Sequence, residues 1–154
     1  MARDITSAFN TAIKSTNVRP IFAIELEISD GTLRFWGGYG SLTMTAGGSS
    51  KTFTGTGDLL GFTPTQETST LQMSGITISM TGIKSSIISS ILSAQYTNRN
   101  GTLYMGLFDT NKSVIADVYT LFKGKMDVAN IQEQADSSIV TLNIESRLVQ
   151  FDLP

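Results

Sequence analysis

From residue 21 onward, apolar and polar positions alternate with a period of two, and this alternation predicts a mainly β chain. Phe22, Ile24, Leu26 and Ile28 fall on one face, Glu25 and Glu27 on the other. Ser29-Asp30-Gly31-Thr32 is a hairpin signal, because Asp-Gly supplies the positive φ that tight turns need, and residues 33–36 return as the partner strand. Gly37-Gly38-Tyr39-Gly40 breaks the regularity. Two short strands follow, 41–45 and 51–54, joined by a Gly47-Gly48 turn. Residues 65–80 carry the longest strand signal. Leu71 and Met73 hold odd phase, and after Ser74-Gly75 the apolar set moves to Ile76, Ile78 and Met80. A one-residue shift at a glycine is what a β-bulge produces.

The remaining strands are read at 102–108, 118–124, 125–134 and 138–146, with a turn at Asp109-Thr110-Asn111-Lys112 and a hairpin link at Ala135-Asp136-Ser137. Segment 102–108 is apolar on both faces, which predicts burial on both sides, by core on one and by a helix or a neighbouring subunit on the other. Two segments keep a helical period instead. Ile5, Phe9 and Ile13 mark a helix at 4–15 with Asp4 as N-cap, and Ile87, Ile88, Ile91 and Leu92 mark a second at 84–95. The expected architecture is a single α+β domain over 1–154: an antiparallel β-barrel or sandwich of about eight strands with two flanking helices.

Composition narrows the chemistry. Of 154 residues 16% are charged, below the ~25% usual for soluble domains. Two readings of the Ser/Thr/Gly-rich remainder stay open: a surface packed against other subunits, or an ordinary β domain with a neutral polar coat. The net charge is −2 and Lys123 and Lys125 are the closest cationic pair, so tight binding through phosphate neutralisation is not expected. Cysteine and histidine are both absent, which removes disulfides, thiol catalysis, the commonest general base and the commonest transition-metal ligand. No apolar run approaches the ~20 residues of a membrane span. The first helix has only Lys14 as a cation on its polar face, unlike a membrane-surface helix. The N-terminus lacks the apolar core of a signal peptide, so folding in a cytoplasm is expected.

The candidate motifs are weak one by one. Gly37-Gly38-Tyr39-Gly40 and Gly55-Thr56-Gly57 lack the order of a phosphate-binding loop and read as turn and bulge glycines. The carboxylate pairs Glu25/Glu27 and Asp109/Asp117 show no sign of the uneven tuning that acid–base catalysis requires, and Glu25/Glu27 reads as a solvated face. Asp109-Thr110-Asn111 begins like a calcium loop, but Lys112 and the missing downstream glycine spoil it. Phe35, Trp36 and Tyr39 would stack on a sugar if exposed and would fill a core or a subunit contact if buried. No enzyme, metal or cofactor is expected.

Read in order, several segments resemble the distal-tail and baseplate-hub proteins of tailed phages, a family also found in gene transfer agents. MARDITSAFNTAIK with NVRPIFAIELEI is similar to that family's opening helix and first strand, and FWGGYGSLT to its aromatic–glycine hairpin. FTGTGDLLGFTPTQETSTLQMSGITISMTGI resembles its Gly-rich loop, Glu-Thr turn and long strand. LYMGLFD, VIADVYTLFKGKMD and TLNIESRL follow in the same order, so the resemblance covers nearly the whole chain.

The resemblance implies a tail-tube-like β-barrel in a structural virion protein, assembled in the bacterial host cytoplasm. It implies a ring of copies, trimer or hexamer, around the tail channel that joins the tail tube to the tip proteins. DNA would be passing cargo only, and no stable membrane association is implied. Some relatives carry a further domain whose cysteines hold an iron–sulfur cluster; this chain has no cysteine and stops soon after TLNIESRL, which favours a ring-forming adaptor. Candidate subunit-interface residues are Leu71, Met73, Ile76, Tyr104, Phe108, Gly55, Gly57, Leu60 and Pro64. The alternative from another class is a carbohydrate-binding β-sandwich at the tail tip, used for host attachment and centred on Trp36.

Overall fold

The structure, a computed structural model, describes residues 6–57, 60–63, 75–81, 88–89, 93–115, 118–134 and 137–146. It opens with helix α1 (Ser7–Ile13), and the N-cap is Thr6, not Asp4. The Thr6 hydroxyl accepts the Phe9 N–H at 3.3 Å, satisfying one of the orphan donors of the first turn. Phe9 is the buried residue of this short helix, and Ile13 stands exposed instead of sharing its face. The second predicted helix, 84–95, lies largely outside the described residues; Ile88, Ser89 and Ser93 within it are helical, and Ile88 is buried in the core.

Ten strands follow: β1 (Pro20–Ile28), β2 (Gly31–Trp36), β3 (Ser41–Ala46), β4 (Ser49–Gly55), β5 (Leu60–Phe62), β6 (Gly75–Thr81), β7 (Asn100–Leu107), β8 (Tyr119–Met126), β9 (Asn130–Gln134) and β10 (Ser137–Ser146). The chain is mainly β, as its alternation predicts. Among the described residues the count is ten, not about eight: the Gly-rich run after Phe53 contributes β5, while the 118–134 region gives two strands as read, divided later. β8 continues to Met126, and the break falls at 127–129. The odd-phase part of the long strand signal, with Leu71 and Met73, lies outside the described residues; the described strand begins at Gly75.

All ten strands join one sheet in the order β3-β4-β2-β1-β7-β8-β10-β6-β5, with β9 added alongside β10. The sheet is mixed: β2 and β4 run parallel, pairing Phe35 with Thr54 and Trp36 with Gly55. Among the described residues the path does not close into a barrel. It curls nonetheless, since side chains of strands far apart in the order meet across its concave face. Ile24 and Leu26 of β1 share a cluster with Ile76, Ile78 and Met80 of β6 and with Val140, Leu142 and Ile144 of β10. The Phe22 and Phe62 rings touch edge-on at 4.8 Å. Burying an aliphatic side chain of this size contributes ~1.5–3 kcal/mol, so this concave cluster is the main source of stability.

A second cluster covers the opposite face of β1 and β7. The β3–β4 hairpin folds back through its Gly47-Gly48 turn, where both φ angles are positive (60° and 78°) as a two-residue hairpin turn requires. It lays Met44, Ala46 and Phe53 against Ile21, Ala23, Tyr104 and Val118. The second face of β7 is thus buried, as its two-sided apolar pattern predicts, but the cover is the chain's own hairpin.

Phe53 is fully buried at the centre of this second cluster, its ring 6.2 Å from that of Tyr104 in an edge-on arrangement. Phe53→Ala is expected to cost about 3–5 kcal/mol, measured by denaturant unfolding, and to raise hydrogen exchange in β3 and β4 more than in β6 and β10.

Candidate functional site

Two constellations stand out above the hairpin. The first is built on glycine. After β2 the chain turns back on itself: Gly38 N–H donates to Trp36 O, Gly55 N–H to Gly40 O at 2.7 Å, Thr56 N–H to Trp36 O, and Gly57 N–H to Gly38 O. The residues at 37–40 and 55–57 are thereby laced together mainly through backbone, and the Thr56 hydroxyl also donates to Trp36 O at 3.3 Å. A Cβ at Gly55 would lie 2.1 Å from the Gly38 carbonyl oxygen, so no side chain fits there. The N–H groups of Gly38, Gly55 and Gly57 donate to backbone carbonyls, so the lace is not a phosphate cradle. Trp36 Nε1–H donates to Gly40 O at 3.0 Å and its ring meets Phe108 edge-on at 6.3 Å. Its indole is therefore engaged with the fold along one edge and is half-buried. Tyr39, between the laced glycines, is 79% exposed and is the most exposed large apolar residue described.

The second constellation is ionic. Glu25, only 12% exposed, receives Arg34 Nε at 2.7 Å and Lys51 Nζ at 3.0 Å, one on each carboxylate oxygen. Lys51 also donates to the Tyr104 hydroxyl at 3.4 Å and stands 5.6 Å from the centre of that ring. The expectation of a solvated Glu25/Glu27 face is corrected here: Glu25 ties the β3–β4 hairpin to β1 and β2, and Glu27 accepts from Asn100 Nδ2 at 2.7 Å. Burial acts to raise the Glu25 pKa, but hydrogen bonds from Arg34 and Lys51 and their positive charges outweigh it, so the carboxyl is held below its ordinary value. Burial acts to lower the Lys51 pKa, and its contacts with Glu25 and Tyr104 outweigh that and raise it. Arg34 was legible in the sequence as the cross-strand partner of Glu25 through the Ser29–Asp30 turn. Lys51 was not, because the hairpin brings it across from another part of the sheet.

The interface candidates separate by place. Ile76 and Tyr104 are buried inside the chain's own clusters. Phe108 is half-buried against Trp36. It also borders a groove of about 250 Å³ formed with Ala12, Val18, Arg19, Leu107 and Ile115. Gly55 and Gly57 belong to the lace, Gly57 with a positive φ of 84°. Leu60 pairs with Met80 as the first residue of β5. Leu71, Met73 and Pro64 lie outside the described residues. Reasoning from sequence grouped Tyr39 with Phe35 and Trp36 but did not place it among the interface candidates; its position between glycines was the available signal.

The remaining chemical candidates resolve into structure. Asp109 Oδ1 accepts the N–H groups of Asn111 and Ser113, both at 2.8 Å, closing the turn in which Lys112 takes a positive φ. Among the described residues no three acidic side chains gather as metal ligands, and no helix is long and apolar enough to cross a membrane. No family model matches the sequence, and no curated protein matches it.

Glu25→Gln is expected to destabilise the fold by about 1–3 kcal/mol at pH 7, as loss of a charge-assisted hydrogen-bonding partner does. A depressed carboxylate stabilises above its unfolded value of 4.5, and that contribution is lost as pH falls below it. A raised lysine stabilises below its unfolded value of 10.5, and that contribution is lost as pH rises above it. Thermal melts of the native chain should therefore lose stability at both limits, and Glu25→Gln should flatten the acid limb. Gly55→Ala should cost more than Gly48→Ala, which meets open space, although Gly48 also has a positive φ; urea titration of the two variants measures the difference.

Proposed function

We propose that this chain is a structural subunit of a phage tail: a distal-tail or baseplate-hub component that forms a ring around the tail channel and joins the tail tube to the tip. The observation that carries the reading is a single curled sheet that, among the described residues, is left open between β3 and β5. Such a subunit can continue its sheet into a copy of itself, and a ring results where the rotation closes. The run of segments that resemble distal-tail proteins in order supports the same reading. On this reading the curled sheet is the tail-tube-like barrel that the resemblance implies, completed by its neighbours. The protein resides in the virion, is assembled in the host cytoplasm, and acts as scaffold and not as catalyst.

The geometry supports a division of labour. The two internal clusters hold the subunit together, so Ile76 and Tyr104 shape it from inside. Contacts with copies or with tube and tip proteins fall to the outer groups: Tyr39 with Gly55 and Gly57 of its glycine lace, and Phe108 at the rim of its groove. A rigidly mounted, exposed tyrosine has the character of an interface anchor, offering large contact area at low entropic cost. The slight net negative charge suits a channel through which phosphates slide without sticking.

Native mass spectrometry of the purified protein should show a closed trimer or hexamer. Tyr39→Ala should weaken that assembly by about tenfold, as removal of an interface anchor does, while leaving the melting temperature of the subunit within about one degree. A monomer at high micromolar concentration contradicts the reading, and so does an assembly indifferent to Tyr39.

A further inference from the structure

The two ends of the central strands differ in a complementary way. At the end where Pro20 pairs with Leu107, α1, the connection into β1 and the segment after β7 enclose a groove of about 250 Å³. Its apolar wall is Ala12, Val18, Leu107, Phe108 and Ile115, and Arg19 is its cation. Arg19 is exposed, and among the described residues its side chain has no partner. The acidic residue of the lining, Asp109, turns Oδ1 to the N–H groups of Asn111 and Ser113. At the opposite end, where Asn100 pairs with Lys125 and β8 gives way to β9, Val128 is 66% exposed. Asp127 beside it is also exposed; its backbone N–H donates to Asn143 O, and its carboxylate has no partner among the described residues. Of the large apolar residues exposed on the described surface, Ile13, Val18 and Tyr39 lie at the groove end and Val128 stands alone at the other. Charge divides the same way. In the described connections Lys14, Arg19 and Lys112 outnumber Asp109 at the groove end, and Asp30 and Asp127 outnumber Arg99 at the other.

We propose that this groove is the docking site for Val128 of a second copy of the chain, with Asp127 of that copy paired to Arg19. A chain cannot fill its own groove. The length of β7, Asn100–Leu107, separates the two ends by roughly 23 Å at about 3.3 Å per residue. The groove is smaller than the ~300–1,000 Å³ of a site for a drug-sized ligand. Its size suits one aliphatic side chain carried on a projecting link, and the apolar wall removes that side chain from water. The pairing of Asp127 with Arg19 at the rim sets the register and rejects like-charged partners. Knob and groove are different patches at opposite ends, so the contact is heterologous and copies add head to tail. The inference goes beyond the ring reading and does not rest on it, because each contact forms whether or not the rotation closes.

Sedimentation velocity of the full chain and of Val128→Asp, Arg19→Asp and Asp127→Arg tests it. All three positions are exposed, so the melting of the subunit should be unchanged. Each single substitution should weaken association by about tenfold or more. Arg19→Asp and Asp127→Arg combined in one chain should restore it. An equimolar mixture of Val128→Asp and Arg19→Asp should stop at a dimer, since each retains the end that the other lacks. Closed rings formed by all three single variants as readily as by the native chain overturn the head-to-tail contact and leave the ring. Open chains that the single substitutions dissociate uphold the contact and overturn the ring. A combined variant no better than the singles, a mixture that stays monomeric, or a native monomer at every concentration also overturns the contact.

Discussion

Burial of both faces of β1 and β7 is the constraint from which the rest of the structure follows. Each is a central strand, and each carries apolar side chains on two sides. One side is satisfied when the sheet curls and brings β6 and β10 over β1. The other needs a separate cover, and the β3–β4 hairpin supplies it with Met44, Ala46 and Phe53. That hairpin can fold back only because glycines permit the turn at 47–48 and the backbone lace at 37–40 and 55–57. Glu25 then fixes its position through Lys51, and Arg34 completes the neutralisation that a half-buried carboxylate needs.

The same constraint determines what the chain shows to its surroundings. With the hairpin occupied in covering the sheet, β3 becomes the last strand of the sheet's path among the described residues. Tyr39, carried on the lace, becomes the outermost aromatic group. Neither feature adds to the stability of a lone subunit. Both are what a subunit needs if its stability comes from its own clusters and its assembly from a few exposed groups. This separation is the physical content of the proposal that the chain is a ring-forming tail component.

Much of the fold was legible in the alternation of the sequence. The period-two pattern of residues 22–28, the hairpin within Ser29–Thr32 and the Gly47-Gly48 turn each correspond to described elements. The even phase of Ile76, Ile78 and Met80 gives the core face of β6. What periodicity could not give is how distant strands come together. The parallel pairing of β2 with β4, the burial of Glu25 and its bond to Lys51 arise from a chain crossover, and local pattern carries no record of it. The Thr6 cap was obscured because Asp4 satisfies the same local rule two residues earlier. The apolar second face of β7 was visible in Tyr104 and Phe108, but sequence alone could not say whether a neighbour or the chain itself covers it.

Cryo-electron microscopy of the purified full chain tests the central claim most directly. The account predicts closed rings of three or six copies with a central hole. Particles that are monomers, or that associate without a closed ring, would contradict it.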